Sequence, residues 1–113
     1  MPIVLPPNHE PDADVVLLAK PFNELTDLPR ATDVLLVAEV SDTTLAFDLK
    51  QKAALYARAE IPEYWVLDVT NRRLIVHRRP QGGAYQEVVA YAESESVALL
   101  AAPDSAVVVD TLM

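Results

Sequence analysis

The sequence predicts a mixed α/β (α+β) fold: a β-sheet carrying one main helix and a C-terminal β-hairpin. Three observations predict it. Two continuous apolar, β-branched runs, 14–19 and 34–40, have the length and composition of strands. The stretch 45–59 contains no glycine or proline and is rich in Ala, Leu, Lys and Gln, which favours a helix. The chain's two glycines stand together in Pro80-Gln81-Gly82-Gly83, between two segments of strand-like composition, where a hairpin turn needs positive φ.

The elements follow in order. Pro2, Pro6, Pro7 and Pro11 make residues 1–13 an extended lead-in, not a helix. Asp14–Ala19 is apolar on both parities, the pattern of a strand covered on both faces, and Lys20-Pro21 ends it. Residues 21–32, with Pro21, Asn23, Asp27 and Pro29, form a connection with at most a short turn or helix. Val34–Val40 reads as a central strand whose only charge is Glu39. Ser41-Asp42-Thr43-Thr44 then offers N-cap residues to the helix, which Ile61-Pro62 stops. Glu63–Val69 is a third strand, and Thr70-Asn71 a turn. Arg72–Arg79 and Ala84–Tyr91 are the two hairpin arms. Val97–Ala101 and Val107–Val109, separated by Pro103-Asp104-Ser105, are either two strands or a strand and a closing turn.

Composition removes several function classes. At 113 residues, one core and a single domain spanning 1–113 are expected. Seventeen acidic against nine basic side chains give a net charge of −8, so the chain does not bind nucleic acid by blanket phosphate neutralisation. With no cysteine there is no disulfide, thiol nucleophile or thiolate metal site, and two histidines do not make a His-rich zinc site. The apolar runs are short and no basic segment leads into an apolar one, so neither a membrane span nor a signal peptide is expected, and a cytoplasmic setting is.

The chemistry is sought among charges in apolar surroundings. Asp14 opens one strand and Glu39 interrupts another, where an unpaired charge costs several kcal/mol by order of magnitude. At about 100° per residue, Leu45, Leu49, Leu55, Tyr56 and Ala59 share the helix face that packs on the sheet. Asp48 and Lys52 fall on that face too, while Lys50, Gln51 and Arg58 lie outside it. Asp48 and Lys52 could pair at i,i+4 spacing. Alternatively, Lys52 points at the end of the sheet where Asp14 and Glu39 concentrate negative charge. Two carboxylates that hold Mg²⁺ beside a Lys ammonium suit metal-assisted hydrolysis of a phosphodiester.

Five segments also carry a resemblance: Glu10–Val15, Leu36–Thr43, Phe47-Asp48, Lys52 followed by Leu55-Tyr56-Ala57-Arg58-Ala59, and Ile61–Asp68. In this order they are similar to the Uma-type restriction endonuclease family of the PD-(D/E)XK nuclease superfamily. The resemblance implies a restriction-endonuclease-like core and DNA cleavage dependent on Mg²⁺, with Mn²⁺ as a substitute. Residue by residue, it implies that Asp14 is the metal ligand of the first motif, Glu39 the acid of the second, and the Val40 carbonyl the main-chain ligand. Asp12 in Pro11-Asp12 is a rival for the first role, and Asp48 a supporting acid. Ser41 stands where the superfamily's Lys would be, and Lys52 matches the position on the following helix to which this family moves it.

Family members begin further upstream, with a helix bearing another acidic site residue and a first strand. The chain is therefore expected to lack these elements and leave one sheet face and edge less covered, which favours a homodimer or higher homo-oligomer. A catalytically silent oligomeric module that keeps the fold is the alternative function. Trp65 and Tyr64 are expected in or beside the core. Arg72, Arg73, Arg78 and Arg79 are either a solvated hairpin or a local phosphate contact, and His9 and His77 are expected at the surface.

Overall fold

The computed structural model describes residues 1–113, the side chain of Phe22 excepted. Five strands form one mixed sheet in chain order: β1 (Val15–Leu18), β2 (Val34–Ser41), β3 (Glu63–Asp68), β4 (Arg73–Gln81) and β5 (Ala84–Ala92). Neighbouring strands run antiparallel except β2 and β3, which pair in parallel from Val37↔Tyr64 to Ser41↔Asp68. A parallel pair cannot be closed by a tight turn, and the helical stretch between β2 and β3 provides the crossover. A two-stranded sheet, β6 (Ser96–Val97) with β7 (Val107–Val108), and a 3-10 turn at Val109–Leu112 follow. Of the two alternatives for the C-terminal apolar stretches, this is a strand pair, with residues 98–101 outside it. No helix among the described residues is long and apolar enough to cross a membrane.

The crossover departs from the regular helix expected over 45–59. It consists of α1 (Leu45–Phe47), a π-helical turn over Asp48–Lys52, and α2 (Ala53–Arg58). Asp48, the first residue of the wide turn, is held through both its carbonyl and its side chain. Tyr64 Oη donates to the Asp48 carbonyl at 3.0 Å, and the Ser41 and Thr44 hydroxyls both donate to Asp48 Oδ2 at 2.8 Å. Thr44 sits at the N-cap position, yet its hydroxyl serves Asp48 and makes no cap bond to the backbone. At the other end Glu60 takes a φ of 60°, the left-handed conformation that commonly closes a helix and that glycine adopts with less strain.

Strand alternation divides the core between the two sheet faces. On the helix side, Val37, Tyr64, Val66 and Ile75 pack with Tyr56, Ala57 and Ile61. On the opposite side, Leu36, Trp65, Leu74 and Val76 pack with Val97 and Val109. Tyr64 and Trp65 are buried on opposite faces, as neighbours in a strand must be.

Two expectations change at the N-terminal side. Residues 1–13 are extended but fold back on themselves: Ile3 N–H donates to the Pro11 carbonyl and Leu5 N–H to the His9 carbonyl. Ile3 and Leu5 are wholly buried on the helix side, so the segment forms part of the core. β1, expected to be covered on both faces, is the four-residue edge strand, with Val15 54% exposed. Its apolar residues on both parities divide between the two cores, Val16 and Leu18 on one side and Leu17 on the other.

Candidate active site

The site gathers where the start of β1, the end of β2 and the π turn meet on the helix side. Antiparallel pairing of Val15 with Ala38 brings Asp14 alongside the end of β2. Asp14 is exposed, and its Oδ2 accepts the Val40 N–H at 2.8 Å. The N–H and C=O of one strand residue leave on the same side, so the Val40 carbonyl projects toward Asp14 as well. The Ser41 carbonyl faces the other way and accepts the Val69 N–H.

Glu39 lies between these groups, 5% exposed, with its side chain on the helix face. Oε1 accepts from Lys52 Nζ at 3.0 Å and from Tyr56 Oη at 3.2 Å. Both donors come from the helical crossover, Lys52 from the end of the π turn and Tyr56 from α2. Among the described residues no side chain occupies Oε2, and no buried side-chain oxygen lacks a hydrogen-bond partner, so Oε2 remains open to solvent. Burial pushes the Glu39 carboxyl above its ordinary value; Lys52 opposes this, Asp14 adds to it, and the Tyr56 hydroxyl draws it back down. Burial, reinforced by the Glu39 charge, pushes the Tyr56 phenol up and keeps it a donor.

The other proposed acids are placed elsewhere. Asp48 is buried and held by the two hydroxyls of Ser41 and Thr44, so it fixes the start of the helix to the end of β2. The Asp48–Lys52 pair does not form; Lys52 turns to Glu39. Asp12 is exposed and binds the Met1 ammonium at 2.8 Å.

The donors left over suit a hard cation. Asp14 and Glu39 each keep one carboxylate oxygen without a hydrogen-bond partner among the described residues, and the Val40 carbonyl is beside them. All three are oxygen ligands of the kind Mg²⁺ takes. Among the described residues no group of three or more His, Asp or Glu is arranged to hold a metal, so an ion here would complete its shell with water, as Mg²⁺ commonly does.

Three buried polar residues were not read from the sequence as such. Glu63 accepts from Trp65 Nε1 at 2.7 Å, Arg78 Nε at 2.8 Å and Leu100 N–H at 2.9 Å. Asp68 accepts from Arg73 and Asn71; burial raises its carboxyl, but these bonds outweigh that and hold it below its ordinary value. His77, expected at the surface, is buried on the helix side with Nδ1 3.1 Å from the Tyr64 carbonyl, and burial lowers its pKa. The signal for Glu63 and Arg78 was present in their facing positions across β3 and β4, but cross-strand register is not visible before pairing is known. Three of the four hairpin arginines are ion-paired, Arg72 with Glu93 and Asp110, Arg73 with Asp68, and Arg78 with Glu63, while Arg79 is exposed without an ion pair among the described residues.

Comparison with known proteins agrees with this geometry at the level of family. The Uma2 family model, described as "Putative restriction endonuclease", matches residues 1–110. No curated protein matches the chain. The mixed sheet with its helical crossover is consistent with a restriction-endonuclease-like fold. The match covers nearly the whole chain, including Asp14, Glu39 and Lys52, and the chain belongs to the Uma2 family.

Proposed function

We propose that the chain is a Mg²⁺-dependent endonuclease that hydrolyses DNA phosphodiester bonds, with Mn²⁺ able to replace Mg²⁺. The observation that carries this reading is the meeting of Asp14, Glu39 and Lys52 around a carboxylate that keeps one oxygen free. Asp14, Glu39 and the Val40 carbonyl would hold the ion. When bound, it would supply charge stabilisation for the phosphodiester and lower the pKa of a nearby water. Lys52, held at Glu39 Oε1, would orient the attacking water or stabilise charge on the phosphate. Tyr56 donates to the same Glu39 oxygen as Lys52 and helps fix the carboxylate, and the Val40 N–H fixes Asp14.

A catalytically silent module that assembles as a homodimer or larger homo-oligomer is the second reading. The net charge of −8, the internal pairing of Arg72, Arg73 and Arg78, and the exposure of Val15 and Val40 beside the edge strand favour it. Nicking of supercoiled plasmid with Mg²⁺ or Mn²⁺ decides between them. The endonuclease reading expects nicking by the natural chain that is lost in both Lys52→Ala and Glu39→Ala. Equal background cutting in all three proteins would overturn it.

A further inference from the structure

Beside the proposed site runs a second surface that the metal chemistry does not use. Phe47 is 50% exposed, the single aromatic among the exposed large hydrophobic residues described. Phe47 lines a cleft of about 390 Å³ between the folded-back N-terminal segment and the helical crossover. That volume lies within the range of about 300–1,000 Å³ typical of small-ligand sites.

The cleft's lining mixes an aromatic ring and apolar side chains with polar and charged ones. Pro11 and Leu55 join Phe47 in its apolar lining, and Gln51 and Glu10 add an amide and a carboxylate. An amide and a carboxylate can read the donors and acceptors of a base edge. Lys52, which binds Glu39, also lines this cleft, so its occupant would lie next to the phosphodiester at the proposed site. Arg58 stands at the same cleft and offers a cation for an adjoining phosphate.

The charge distribution argues against a surface that tracks duplex backbone. The net charge is −8, and Arg72, Arg73 and Arg78 are each paired with a carboxylate, which leaves Arg79 as the one hairpin arginine without an ion pair among the described residues. A stacked duplex also shows only its base edges, whereas a base freed from the stack shows its face. We infer that the cleft at Phe47 binds an unpaired nucleobase, so that the preferred substrate is single-stranded or locally unpaired DNA. The inference rests on the endonuclease reading and names its substrate class.

The test is fluorescence anisotropy of a labelled single-stranded oligonucleotide and its duplex, in EDTA so that no cutting occurs, with a 2-aminopurine version to report stacking. The natural chain, Phe47→Ala and Phe47→Trp are compared, with circular dichroism as the check on folding. The expected result is tighter binding of the single strand than of the duplex and quenching of 2-aminopurine. Phe47→Ala should weaken single-strand binding by about tenfold, in line with the loss of one stacked base, and Phe47→Trp should restore it. A duplex bound as tightly as the single strand, or single-strand binding unchanged in a folded Phe47→Ala chain, would overturn the inference. Nicking that depends on Lys52 but accompanies Phe47-independent binding overturns this inference alone. Phe47-dependent binding by a chain that nicks nothing supports the base site while removing the endonuclease reading.

Discussion

Two buried glutamates, one on each face of the sheet, are each held by a cation and differ in what remains unused. Glu63 is 1% exposed on the face away from the helix, and both of its oxygens are occupied: Oε2 by Trp65 and Arg78, Oε1 by the Leu100 N–H. Arg78 also donates to the Ala98 carbonyl, so the pair fastens the C-terminal segment to the sheet. Glu39 is nearly as buried but spends only Oε1, and has Asp14 as a neighbouring negative charge. A completed ion pair acts as a structural tie. An incomplete one, with a raised carboxyl and a second acid beside it, is a place where a cation relieves unfavourable charge.

The comparison breaks most readily at Glu63. Glu63→Ala leaves the half-buried Arg78 without its carboxylate and Trp65 Nε1 without its acceptor, and a loss of about 3 kcal/mol is expected in urea unfolding. A loss below about 1 kcal/mol would remove the contrast with Glu39. Next, Lys52→Ala should cut nicking by about 10²–10³-fold, as loss of one pre-placed charge-stabilising group does, while lowering stability less than Glu63→Ala.

A third test uses pH. Because the folded Glu39 carboxyl is raised above 4.5, the folded state binds more protons than the unfolded chain as pH climbs past that value. Its contribution to stability is therefore fully present below 4.5 and is lost as pH rises through the raised folded value. Glu39→Gln should gain on the natural chain between acidic and neutral pH, read from paired urea midpoints; a constant gap would contradict the burial argument. Smallest is Tyr56→Phe, which removes one bond to Oε1. It should cost about 0.5–1.5 kcal/mol and move the acid limb of the nicking profile upward, since one group that lowers the Glu39 carboxyl is lost.

The fold was legible wherever local pattern decided it. The central apolar run became β2, the adjacent glycines made the β4–β5 turn with φ of 62° and 81°, and the Ile61-Pro62 stop preceded β3. Helical projection placed Lys52 on the sheet side, and although a π turn over Asp48–Lys52 interrupts the regular period, Lys52 at its end reaches Glu39 on β2. What escaped was set by pairing between distant segments. Nothing local tells that Ile3 and Leu5 turn inward, since the proline pattern around them is equally that of an open lead-in. His77 and Glu63 look like exposed strand residues until β3 and β4 are paired and both faces are covered. The apolar residues of β1 on both parities read as two covered faces, and they feed both cores, but the strand's place at the sheet edge, where Val15 stays exposed, is set by pairing alone.

The most direct test of the contrast between the two glutamates is the calorimetric melting temperature of the natural chain, Asp14→Asn and Glu39→Gln, each with and without millimolar MgCl₂. An incomplete carboxylate site predicts that Mg²⁺ raises the midpoint of the natural chain, because only the folded state assembles the ligands, and that the rise disappears in both variants. An equal rise in all three proteins, or none in the natural chain, would contradict it.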